Sequence, residues 1–201
     1  MARALNRTRI RDTKLILLLC LVTMLTTRPL IDVDSPLHQF FDMAGELLVA
    51  LCVLGRVYCT AFLGGYKNQT LIHSGPFSVS RNPLYFCSFI GICGIALMSN
   101  HFVLMALIPT LFLGVYFSLI TREEATLQQL FGADYANYCA TTPRFWPRFG
   151  LYQAPSEMLV SPKLLLNAVK DGLLWFLALP IFELIDHAQR SGLLKPLFTL
   201  Y

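Results

Sequence analysis

Five times along the chain an apolar run approaches the length of about 20 residues that a helix needs to cross a hydrocarbon layer. The runs lie at about Leu15–Ile31, His38–Leu63, Leu84–Met98, Phe102–Ile120 and Asp171–Ile185. Such a sequence cannot be wrapped around one water-soluble core. With 55% hydrophobic and 14% charged residues, it would leave large apolar patches in water. The expected fold is all-α: a multi-pass helical membrane protein with about five transmembrane helices in one membrane domain spanning 1–201. The third and fifth runs are short. Pro109 and Pro180 fall inside the fourth and fifth, where membrane neighbours tolerate a kink.

The placement of cations orients these helices. Arg3, Arg7, Arg9, Arg11 and Lys14 precede the first run and put the N-terminus in the cytoplasm. No small-x-small site closes that run, so an uncleaved first helix is expected rather than a secretory signal. The loop carrying Asp32 and Asp34 is then outside, the loop carrying Lys67 and Arg81 inside, and Ser99–His101 forms a tight outer turn. The stretch 121–163, with Arg122, Arg144, Arg148 and Lys163, returns to the cytoplasm. Arg190 and Lys195 lie outside if the fifth helix crosses, a conflict that leaves a re-entrant or interfacial fifth segment open. The net charge of +4 therefore reads as a topology signal, and no nucleic-acid partner is expected. Cys20, Cys52, Cys59, Cys87, Cys93 and Cys139 show no metal-ligand spacing. They read as small buried hydrophobes, and no metal site is expected.

Two polar segments, 64–82 and 121–150, thus share the cytoplasmic side, each abutting a helix end. In the first, Gly75-Pro76 makes a turn, while Pro83 suits the first turn of a helix and bars helical geometry at Asn82. Arg81 and Asn82 are held at the membrane surface beside the unpaired amides of a helix N-terminus. They read either as a site or as a topology-setting arginine with a helix cap. In the second segment, Glu123 and Glu124 point about 100° apart on one helix. Glu123 shares a face with Leu127, Leu130 and Phe131, and Glu124 with Gln128. Glu123 is thus expected to be the carboxylate driven inward, needing a cation such as Arg81, Arg122 or Arg144, or a ligand. Gly132 should break the helix, and Tyr135, Tyr138, Phe145 and Trp146 supply an aromatic surface at the membrane boundary.

The motif Gly75-Pro-Phe77-Ser-Val-Ser-Arg81-Asn82-Pro83-Leu84-Tyr85, followed by Glu123-Glu124-Ala-Thr-Leu127 and Phe131-Gly132-Ala-Asp-Tyr135-Ala-Asn-Tyr138, resembles the signature of the isoprenylcysteine carboxyl methyltransferase family. The match spans roughly 64–148. Each piece is weak alone, but their order, spacing and membrane setting together are specific. The resemblance implies an integral membrane enzyme that binds S-adenosylmethionine at the cytoplasmic face. It implies methyl transfer to a lipid-like acceptor reaching in from the bilayer. Carried over by position, the cofactor contacts fall on Gln69, Thr70, Leu71, Ile72, Phe77, Asn82, Pro83, Leu84, Tyr85 and Glu123, and we place Arg81 beside them. This chain departs from the pattern in having Asn82 and Gln69 where histidine is usual and Phe77 where tyrosine is usual. An amide replaces an imidazole in hydrogen bonding but not in proton transfer, so Asn82 is assigned to positioning.

Methyl transfer from a sulfonium is an in-line displacement in which the protein supplies alignment and a dry cavity. Arg56 lies within the second apolar run. It either snorkels, pairs with an acid, or faces an interior where it would bind the acceptor. Glu46 is too far along the helix to pair with it directly. Two other function classes remain. A sterol-reductase-type enzyme using NADPH shares this architecture but carries a different C-terminal pattern. A non-catalytic membrane scaffold would have no reason to gather a glutamate and an arginine-asparagine loop on one face.

Overall fold

The computed structural model describes residues 21–29, 31–64, 70–195 and 197–200. Proline opens most of the helices, its missing N–H costing nothing in the first turn. They are α1 (Pro36–Leu63), the short α2 (Pro76–Val79), α3 (Pro83–Met98) and α5 (Pro162–Leu173). After the turn at Ser99–His101, α4 runs from Phe102 to Thr141. A 3₁₀ stretch, Leu174–Leu177, joins α5 to α6 (Ala178–Arg190). The helices at Pro36–Leu63, Phe102–Thr141 and Pro162–Arg190 are each long and apolar enough to cross a membrane. The 16-residue α3 is shorter. Met43 (72% exposed), Leu47 (61%) and Leu54 (66%) on α1 present apolar surface that only lipid would cover favourably. The protein is a multi-pass helical membrane protein.

The structure departs from the expected boundaries in three places. The expected first helix over 15–31 falls partly outside the described residues. The segment 21–26 is helical, and from Thr27 the chain is extended. There β1 (Thr27–Pro29) pairs in parallel with β2 (Phe198–Leu200), Thr27 opposite Phe198. Two β-branched threonines followed by the pre-proline position of Arg28 account for the change. The segment 121–141, expected partly as loop, continues α4, with non-helical geometry at Gly132 alone (φ 52, ψ −118). The fifth helix, expected over 171–185, begins at Pro162 and spans 29 residues to Arg190. Pro180 cannot donate to the carbonyl four residues earlier, and the preceding turn tightens into the 3₁₀ stretch at Leu174–Leu177.

The chain divides into two compact units. The first draws on 1–49, 92–115 and 176–201. Its apolar core is Met24, Ala96, Leu104, Ile108 and Ile185. Buried polar groups fasten its turns. His38 Nε2 lies 3.2 Å from Asp42 Oδ2, and Asn100 Nδ2 donates to Asp42 Oδ1 at 2.9 Å. Gln189 donates to the Met24 and Thr27 carbonyls. The second unit draws on 50–91 and 116–175 and contains both motif segments.

Candidate functional site

The loop from Gly75 to Asn82 is stitched to residues 143–153 by backbone bonds between residues 62 to 78 positions apart in sequence. The Gly75 amide donates to the Gln153 carbonyl (2.7 Å), the Arg81 amide to Pro143 (2.9 Å), and the Arg148 amide to Val79 (2.9 Å). Side chains complete the seam. Ser80 Oγ donates to the Phe145 carbonyl at 3.0 Å, and the Gln153 amide donates to Ser78 Oγ at 2.9 Å. The Tyr138 hydroxyl donates to the Phe77 carbonyl at 2.6 Å. Gly75 makes the entry turn at φ 59 and ψ −131, a backbone region that residues with a Cβ rarely adopt.

Beside this seam lies a cavity of about 680 Å³, lined by residues that include Thr70, Leu71, His73, Ser78, Phe131, Asp134, Asn137, Tyr138, Thr141 and Gln153. Volumes of about 300–1,000 Å³ are usual for small-molecule sites. Asp134, Asn137, Tyr138 and Thr141 fall at i, i+3, i+4 and i+7, one face of the helical stretch after the Gly132 break. The Asp134 and Asn137 side chains are solvent-exposed at this cavity and have no hydrogen-bond partner among the described residues. The donor set suits S-adenosylmethionine. Asp134 offers an acceptor for ribose hydroxyls or the ammonium group, Asn137, His73 and Thr70 offer further polar contacts, and Leu71, Phe131 and Leu151 offer apolar walls.

A second cluster centres on Glu124. Asn82 Nδ2 donates to Glu124 Oε1 (3.2 Å) and to the Arg144 carbonyl (2.9 Å). Arg144 Nε donates to Glu124 Oε2 at 2.9 Å, and Arg81 Nη1 lies 3.5 Å from Glu124 Oε1. Arg81 also donates to Cys139 Sγ at 2.6 Å. Burial opposes the charge on Arg81, but Glu124 and then Cys139 outweigh it and raise its pKa. The cation is locked into the cluster.

The expected site residues therefore separate. Thr70 and Leu71 line the cavity; Gln69 lies outside the described residues. Arg81 and Asn82 join the Glu124 cluster, while Pro83 starts α3 and is buried. Ile72, Phe77, Leu84, Tyr85 and Glu123 are half-buried and not among the residues that line the cavity. The Tyr85 ring packs edge-on against Tyr116 at 5.3 Å. The carboxylate that gathers the cations is Glu124, not Glu123 as expected from the helix face. Glu123 has no ion pair among the described residues. The apolar stripe was a poor guide because it is not core: Leu130 is 51% exposed and Phe131 lines the cavity. Glu124 is held inward by polar partners instead. Sequence reasoning also missed Asp134, Asn137 and Thr141. Restarting the helical phase after Gly132 would have aligned them with Tyr138.

A family model described as phospholipid methyltransferase matches residues 43–134. The cobalt-zinc-cadmium resistance protein CzcN of Cupriavidus metallidurans is 34% identical over 83% of this chain and 75% of its own. The nickel-cobalt-cadmium resistance protein NccN of Alcaligenes xylosoxydans xylosoxydans is 30% identical over 98% of this chain and 91% of its own. No solved structure matches. The matched region carries the Gly75–Asn82 loop and the cavity lining up to Asp134, with Asn137, Tyr138, Thr141 and Gln153 beyond it, and the chain belongs to the phospholipid methyltransferase family of integral membrane methyltransferases, which is related to the isoprenylcysteine carboxyl methyltransferases.

Proposed function

We propose that this protein transfers the methyl group of S-adenosylmethionine to a carboxylate, thiol or amine of a lipid-like acceptor, at a cofactor site on the cytoplasmic face. The observation that carries this reading is the cavity itself, where the exposed Asp134 and Asn137 side chains face a ligand-sized space beside the Gly75–Ser78 loop of the family motif. The bound cofactor would supply an electrophilic methyl group. The chain's own residues bind and orient: Asp134 holds hydroxyl or ammonium groups, and the seam fixes the loop against which the cofactor lies. Leu71, Phe131 and Leu151 give the cofactor apolar walls to pack against. Asn82 acts at a distance, keeping Glu124 and the Arg144 carbonyl in register with the start of α3.

CzcN and NccN carry heavy-metal resistance in their names. We carry that association over as modification of a membrane amphiphile in cells exposed to heavy metals.

Detergent-purified protein should bind tritiated S-adenosylmethionine saturably and NADPH not at all. Asp134→Ala should weaken cofactor binding by roughly ten- to hundredfold, the loss of one charge-assisted contact worth about 1.5–3 kcal/mol. Equilibrium dialysis measures both. Saturable NADPH binding with no S-adenosylmethionine binding would overturn the reading in favour of a reductase.

A further inference from the structure

Arg56 lies in the apolar body of α1 and has no ion pair among the described residues. Its Nη1 donates to Ser88 Oγ at 2.5 Å, and its guanidinium carbon stands 5.8 Å from the ring centre of Trp175. The Ser88 hydroxyl hydrogen is committed to the Leu84 carbonyl at 2.9 Å, so Ser88 meets Arg56 as an acceptor. Arg56 thus faces α3 and the 3₁₀ stretch, where a snorkelling arginine would run back towards the interface. The packing around it is close. A Cβ on Gly55 would stand 2.6 Å from Cys87 Sγ, one on Gly91 2.7 Å from Trp175 Cζ3, and one on Gly172 2.6 Å from Val53 Cγ1. These glycines let three elements close around a positive charge set among thiols, aliphatic groups and an indole.

A cation at membrane depth without a counter-charge is costly, and such residues mark ligand paths by default. Ser88 takes one N–H and Trp175 one face, leaving guanidinium donors for an anion. The planar fork matches carboxylate and phosphate oxygens, and the indole fixes its orientation. Arg56 precedes Phe62 on α1 by six residues, and a Cβ on Gly75 would overlap the Phe62 ring. Ser88 follows Asn82 by six residues. Each interval is a rise of about 9 Å, so the guanidinium lies about one headgroup's length from the motif loop along both helices.

We propose that Arg56, Ser88 and Trp175 form an intramembrane anion subsite that takes the acidic group, carboxylate or phosphate, of the amphiphilic methyl acceptor, an assignment that rests on the methyltransferase reading above. The subsite selects acceptors that carry an acid and discriminates against neutral lipids of equal chain length.

The test uses Trp146→Phe protein, in which Trp175 is the remaining one of two tryptophans. It is held in dodecyl maltoside micelles doped with dibrominated fatty acid, dibrominated phosphatidic acid or, as the neutral probe without a phosphate, dibrominated diacylglycerol. The acidic probes should quench Trp175 at mole fractions about tenfold below the neutral one, and the two acids separate the carboxylate from the phosphate source. Arg56→Gln should abolish that preference and Arg56→Lys keep part of it, while affinity for tritiated S-adenosylmethionine stays unchanged in both. In vesicles of the expression host's total lipid, tritium transfer into the lipid extract should fall at least tenfold in Arg56→Gln. Equal quenching by the neutral probe, a preference that survives in Arg56→Gln, or unchanged transfer would overturn the subsite while cofactor binding leaves the methyltransferase reading standing. Absent cofactor binding would overturn that reading, and the acceptor assignment with it.

Discussion

Glu124→Gln should destabilise the protein by about 3 kcal/mol, whereas Glu123→Gln should change stability by no more than about 0.5 kcal/mol. Glu124 accepts from Asn82 and Arg144 and faces Arg81. Its side chain and that of Arg81 are each 15% exposed. Removing its charge leaves Arg81 buried beside a neutral amide, with the Cys139 sulfur as its further side-chain acceptor among the described residues. The figure is set at the low end of what breaking a buried pair costs because Arg144 is 37% exposed and water replaces part of what it loses. Thermal unfolding of both variants in the same detergent measures the difference. Equal losses would mean that the cluster contributes nothing specific and that Glu123 has a buried role of its own.

Gly75→Ala should be as damaging, and for separable reasons. At φ 59 and ψ −131 a Cβ costs about 1–3 kcal/mol of backbone strain. Its overlap with the Phe62 ring adds about 1–3 kcal/mol of overpacking. Gly75 also bridges to Gln153, and Ser78 and Gln153 both line the cavity, so cofactor affinity should fall together with stability. The double variant Gly75→Ala, Phe62→Ala relieves the overlap but not the backbone strain, and the Gly75→Ala change should then cost less than it does with Phe62 in place. Melting temperature and equilibrium dialysis report the two effects. An alanine at 75 that leaves both unchanged would remove the entry turn from the account of the site.

Much of this was legible in the sequence, for identifiable reasons. Length and apolar content located α1, α3 and the membrane part of α4, because burial in lipid acts on whole runs and tolerates small boundary errors. Pro83 fixed the start of α3, since proline restricts the backbone locally. Asn82 and Arg81 could be placed at that helix start for the same reason. The roles of Glu123 and Glu124 could not be sorted, because which face of a helix turns inward depends on partners such as Arg144 and Asn82, which come from elsewhere in the chain. The stripe of Asp134, Asn137 and Thr141 was hidden by one residue, Gly132, whose φ of 52 shifts the helical phase and defeats any periodicity counted across it. The extra turns of α5 before Asp171 were obscured by Lys163 and Lys170, charges that a long side chain can carry at a membrane edge.

The seam between the Gly75–Asn82 loop and residues 143–153 has a consequence for the order of assembly. Arg81 and Pro143, or Val79 and Arg148, meet only after the chain between them has been made, and that chain is the α3–α4 hairpin. Closing so long a loop costs entropy before its contacts return anything. The first motif half therefore leaves the ribosome with its seam amides unpaired by protein, and waits for the second half to fold back onto it. A chain truncated between 83 and 143 would hold every residue of the Arg81-Asn82-Pro83 signature and still have no seam. The framed loop thus arrives in a single late step of biogenesis, not piecemeal as each helix inserts.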